Sequence, residues 1–172
     1  MKKSYLMWGL GGLTFVAVLG TLLHFLYGWM GWLILKPFSA VNESTWEHMK
    51  ILFFPMLIFA FIQYSFVKND YNNFWCVKTL TILLGVVLIP IIFYTYNGAL
   101  GKSPAWVDIS SFFVSIGIAF AVESKLLNNT NFRCFKWLAV IVLVIVAFMF
   151  IAFTFSPPNL PIFIDPRILK TN

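Results

Sequence analysis

An all-α integral membrane protein, a bundle of five transmembrane helices with a short interfacial segment after the first, is the fold predicted, and three observations predict it. Hydrophobic residues make up 60% of the 172 and charged ones only 10%, with a mean hydropathy of +0.87, far from the composition of soluble globular domains. The apolar residues fall into five runs, each close to the about 20 residues that cross a roughly 30 Å hydrocarbon core. Polar, turn-rich stretches separate or follow them: KNDYNN, NGALGKSP, NNTNFR and SPPNLP. Irregular backbone in lipid would leave its N–H and C=O groups without partners, so the spans are helical. Little chain remains between them, and residues 1–172 read as a single transmembrane domain.

The first span, about residues 5–27, follows Met1, Lys2 and Lys3. It has the positive start of a signal peptide but is long and lacks a small-x-small cleavage site, so it is expected to be retained. The segment GWMGWLILKPF, Gly28 to Phe38, is too short to cross, and its tryptophans suit the membrane interface. The second span covers about 45–67, opening on a Ser44/Glu47 pattern that matches a capping box. The third covers 75–96, the fourth 106–127 and the fifth 135–155. Pro55 and Pro90 lie inside spans two and three, where each removes an internal hydrogen bond and sets a fixed bend.

Helical spacing places polar groups on packed faces. Gly12, Val16, Gly20, His24 and Gly28 recur every four residues and form one ridge, with small residues that let helices approach. Asp108, Ser111, Ser115 and Ala119 make a comparable stripe on span four. Gln63 is expected to hydrogen-bond across helices, and Glu123 to pair with Lys125 or a neighbouring base or to reach interfacial water.

Five spans put the termini on opposite sides. Lys2, Lys3, Lys68, Lys78, Lys125, Arg133 and Lys136 share one side, seven in all; Lys36, Lys50, Lys102, Arg167 and Lys170, five, share the other. The positive-inside rule then favours a cell-membrane protein with a cytoplasmic N-terminus and an extracytoplasmic C-terminus. Cys76 and Cys134 fall at cytoplasmic span ends, where thiols stay reduced, and are expected to be plain boundary residues. The pI of about 9.5 reflects this topology and anionic lipid, not nucleic acid. No phosphate loop, GxSxG elbow, CxxC or nucleic-acid motif is present.

On that topology the outer side gathers His24, Asn42, Glu43, Glu47, His48, Asp108 and Asp165, with Tyr94 to Asn97, Ser110, Ser111 and Asn159 nearby, so that every span contributes. Ionisable groups at membrane depth face a bundle interior or a wet cavity, which makes an outward-facing polar pocket the expectation. Within AVNESTWEHMKIL, a cap accounts for Ser44 and Glu47 but not for Asn42, Glu43, Trp46 or His48. Glu47 and His48 are adjacent and diverge by about 100° around a helix, so one faces a pocket and the other a neighbouring span. The pattern is not HExxH. A divalent metal would draw on His24, Glu47, His48 and Asp108, with Glu43 and Asp165 as further oxygen donors.

Three blocks, HFLYGW, FSAVNESTWEHMKILFFP and SPPNLPIFIDP, resemble the signature blocks of a family of short bacterial integral membrane proteins of unknown function. The resemblance covers most of the chain, and the VNESxWEH and PPxLPxFxDP blocks are its most specific parts. It implies that these blocks belong together at the outer face, and it brings no reaction with it. The chain carries Asn159 and Ile164 where the family pattern has a histidine and an arginine, which weakens any scheme with an imidazole ligand from the tail. Function classes then stand in this order: a binder or transporter of a small solute or ion, a membrane-embedded metal-dependent hydrolase or lipid-modifying enzyme, and an accessory or structural membrane subunit. The lipid bilayer is the one certain partner, and no cofactor is named beyond the candidate divalent metal.

Overall fold

Apolar runs become helices because only there does the backbone satisfy itself in lipid. In the computed structural model, which describes residues 2–101, 105–129 and 131–167, five helices form from them: α1 (Lys2–Met30), α2 (Thr45–Val67), α3 (Phe74–Leu100), α4 (Ala105–Leu127) and α5 (Lys136–Phe155). All five are long and apolar enough to cross a membrane. Lys102 and Lys170, used in the charge count, lie outside the described residues. Helix α1 runs three residues past the expected Tyr27 and stops at Gly31, whose φ of +67° reverses the chain. A 3-10 turn at Leu33–Leu35 follows, and Trp29, Trp32, Leu33 and Ile34 are all exposed.

Helices α1, α2, α3 and α4 pack in sequence, α4 closing on α1 to make a four-helix ring; α5 lies outside it against α3 and α2. Helix α2 is the most enclosed, with Leu52, Phe53 and Ala60 fully buried. Helix α5 is the most apolar and least buried, as suits a helix that turns most of its circumference to lipid. Without a hydrophobic force between helices in lipid, close packing at small residues holds such a ring. The α1 ridge does this: a Cβ on Gly12 would fall 2.4 Å from the Phe59 ring and 2.5 Å from Phe120, and one on Gly20 would fall 2.4 Å from Phe112. The ridge ends there, since Gly28 faces open space. On α4, Ser111, Ser115 and Ala119 are buried as the stripe predicts, the serines bonding back to the carbonyls of Asp108 and Ser111 at 2.7 Å.

Several expectations need correction. Cys76 and Cys134 are not separate thiols but a disulfide, formed because the α3–α5 packing brings the first turn of α3 beside the residue before Phe135, 58 positions away in sequence. Of the partners expected for Glu123, the neighbouring base is the one found, Lys78 at 2.6 Å, and not Lys125. The Gln63 Oε1 atom is buried without a hydrogen-bond partner, so the oxygen end of this amide makes no cross-helix bond. The capping box does not form: the Ser44 side chain makes no cap bond, and the Ser44 N–H donates to Asn42 Oδ1 at 2.9 Å. Glu47 instead accepts from Val41 N–H at 2.9 Å and from the Lys50 ammonium at 2.6 Å. A buried cation one turn on outcompetes the neutral N–H that the box would offer.

Candidate functional site

The loop between α1 and α2 is tied to the last turns of α1. Ser39, fully buried, donates its hydroxyl to the Leu23 carbonyl and accepts from the Tyr27 N–H, while Ala40 N–H also reaches Leu23 O. This clamp flanks His24 on both sides. It delivers Glu43, two residues before the first residue of α2, beside the imidazole. His48, on the first turn of α2, approaches from the other side, its ring 5.3 Å from that of His24 in an edge-on arrangement.

The result is a three-donor cluster. Glu43 Oε2 lies 3.5 Å from His24 Nε2 and 3.7 Å from His48 Nε2, and the three donor atoms all fall within 4.8 Å of one another. The His48 tautomer follows from its other nitrogen, which is 2.9 Å from the Ser44 carbonyl oxygen. A carbonyl only accepts, so Nδ1 carries a hydrogen, and Nε2 is the ring nitrogen turned to the cluster. His24 Nδ1 is buried without a hydrogen-bond partner.

The C-terminal tail completes the rim. Asp165 Oδ2 accepts from Glu43 N–H at 3.2 Å and from Arg167 at 2.8 Å, and Arg167 lies 3.7 Å from Glu43 Oε1. Glu43 thus points one oxygen at the histidines and the other at the arginine. The hydrogen bonds from Arg167 hold the Asp165 carboxyl down at about 2, and Arg167 is raised in return. Glu43 is also held below the usual carboxylate range, chiefly by the His24 imidazole, against the opposing effect of burial.

These groups sit at the rim of a cavity of about 680 Å³ between α1, α2, α3 and α4. Asp108 lines the same cavity from the start of α4, while the inner wall is apolar, with Ile51, Ile89, Phe93 and Phe112. Of the residues expected at a site, His24, Glu43, His48 and Asp108 therefore line one hollow, and Asp165 supports Glu43 from behind. Asn42 is a turn residue, its side chain spent on Ser44 N–H. Glu47 does not join the cluster: it is buried and held by Lys50 and the Val41 N–H. Helix α5 supplies no lining residue, and Tyr94, Asn97 and Asn159 do not line the cavity either. Arg167, which sequence reasoning only counted as a charge, does. The spacing in IDPR, a carboxylate and a guanidinium two residues apart, was the available signal.

The chain belongs to DUF6512, a family of unknown function whose model matches residues 1–170. No curated protein and no solved structure matches it.

Proposed function

We propose that this member of a family of unknown function binds a divalent metal ion of the zinc class on His24, Glu43 and His48, and uses it for hydrolysis inside the membrane-embedded cavity. The three-donor geometry carries the reading. Ligands about 2.0 to 2.2 Å from a tetrahedral zinc ion stand about 3.3 to 3.6 Å apart; the two histidine–glutamate separations of 3.5 and 3.7 Å lie at the upper end of that range and just past it, and all three donors fall within 4.8 Å of one another. Two imidazoles and one carboxylate with a fourth position left towards a cavity is the donor set of a catalytic site, whereas structural sites close all four. A bound metal would supply a polarised water and a Lewis acid. In an ester or phosphoester the water oxygen would bond to the acyl carbon or phosphorus, the bond to the leaving oxygen would break, and that oxygen would take a proton. Asp108, which lines the cavity, would accept and return the proton, and Arg167 at the rim would face the developing negative charge.

A transport role for the same pocket would need a polar path onward through the ring. Below the cavity the ring is packed with Leu52, Met56, Phe59 and Phe120, none more than 5% exposed, and the polar groups buried against those rings, Lys78 and Glu123, are bonded to each other, which favours chemistry at a one-sided pocket. Elemental analysis of gently purified protein should find about one divalent ion per chain, and His48→Ala should lower its affinity by about 100-fold or more with the fold retained. Metal-free wild type that also takes up no added Zn²⁺, Mn²⁺ or Fe²⁺ would remove the proposal.

The orientation belongs to the same reading. The excess of Lys and Arg at the N-terminal end of the bundle supports a pocket that opens extracytoplasmically. The Cys76–Cys134 pair then faces the cytoplasm, where a disulfide is a transient, redox-sensing bond and not a permanent staple. Trapping thiols with a maleimide in intact cells should capture a substantial reduced fraction. A pair that is fully oxidised in cells would place that end outside and reverse the assignment.

A further inference from the structure

We infer that the ligand of this cavity is an acyl-chain amphiphile that enters sideways from the bilayer between α1 and α4, one chain in the cavity and an oxygen-rich head at the histidines. The inference rests on the metal reading for its head-group end and on separate observations for the chain. The depth comes first. Gly20, at the cavity's inner end, lies ten residues before Met30, or about 15 Å along α1 at 1.5 Å per residue. That is about half of a roughly 30 Å hydrocarbon core. His24 at the rim lies about 9 Å from Met30 by the same measure, so the cavity extends about 6 Å further along α1 from the rim into the span.

Its walls change character along that path. The rim carries His24, Glu43, His48 and Arg167; the inner part carries Ile51, Ile89, Phe93 and Phe112. A small polar solute would leave the inner part filled with water against aliphatic and aromatic walls, whereas an acyl chain matches it at about 25 cal/mol per Å² of apolar surface removed from water. The volume of about 680 Å³ lies within the about 300 to 1,000 Å³ typical of small-molecule pockets.

The side opening is the third observation. Thr21 and Phe25 on α1, and Ile109 and Phe113 on α4, line the cavity and remain accessible, Phe25 at 47%, Ile109 at 59% and Phe113 at 44%, so they do not seal it. These are residues of membrane-spanning helices, so the part of their accessible surface outside the cavity meets lipid. A second chain of the same lipid can stay in the bilayer.

The test uses the full chain in phosphatidylcholine nanodiscs with a lysophospholipid carrying a diazirine at the end of its acyl chain. Photolysis should label the cavity faces of α1, α3 and α4. Thr21→Trp and Ile109→Trp, at exposed positions whose substitution leaves the core untouched, should cut that labelling by about tenfold while bound metal stays constant. Equal competition by glycerol phosphate and by the long-chain lipid, or labelling confined to outer faces and indifferent to both variants, would overturn the lipid occupant and leave the metal site standing. Cavity labelling of a wild type that proves metal-free would instead remove the metal reading and retain the chain site.

Discussion

Replacing Lys50 with alanine should destabilise the protein by about 3–5 kcal/mol, the cost of breaking a buried ion pair from one side. Lys50 is fully buried, and its ammonium holds three acceptors: Glu47 at 2.6 Å, the Lys36 carbonyl at 2.8 Å and Thr154 Oγ1 at 3.0 Å. Those acceptors come from α2, from the chain before it, and from the last turn of α5. The lysine thus joins three parts of the fold at the level of the candidate site, and its loss leaves Glu47, 3% exposed, with the Val41 N–H alone. For a chain of this length the cost corresponds to roughly 6–20 °C in Tm. Thermal unfolding in detergent measures it, and the double replacement Lys50→Met with Glu47→Gln should recover much of the loss because no unpaired charge remains. A single variant as stable as the double would show that the pair contributes nothing.

The same residues show what was legible in the sequence and what was not. Five helices followed from run length and hydropathy alone, because a bilayer imposes both helix and length on an apolar run. The α1 ridge was legible for a related reason: a four-residue recurrence of glycine has few uses other than close approach. Which carboxylate faces the histidines was not. Glu43 and Glu47 differ only in how the loop before α2 turns, and that turn depends on Asn42 capturing Ser44 N–H and on a buried lysine capturing Glu47. A capping pattern names the residue types but not the competitors that draw them elsewhere. Lys50 and Lys78 were read as boundary charges, since nothing local in a sequence tells a snorkelling lysine from one sealed inside a ring. The Cys76–Cys134 bond lay beyond reach for the same reason: it depends on α3 and α5 being neighbours, which is a tertiary fact.

At the other end of the bundle, Lys78→Ala should cost about 3–5 kcal/mol as well, while Glu123→Gln should cost clearly less. The two partners are not equally provided for. The Lys78 ammonium is 2.6 Å from Glu123 Oε1 and also within 5.3 to 5.6 Å of the Phe59, Phe74 and Phe120 ring centres. Rings present their negative faces to a cation, and such contacts gain strength when water is excluded. Glutamine at position 123 therefore leaves the ammonium with three rings and an amide oxygen. Alanine at position 78 leaves a buried carboxylate facing the same rings, with its second oxygen already lacking a partner. A carboxylate gains nothing from the negative face of a phenyl ring, so the penalty falls on the lysine deletion. Thermal unfolding of both single variants, with Lys78→Met/Glu123→Leu as the charge-free control, ranks the three. The expected order of stability is the control above Glu123→Gln, and Glu123→Gln above Lys78→Ala; a Glu123→Gln variant as unstable as Lys78→Ala would mean that the rings do not hold the cation.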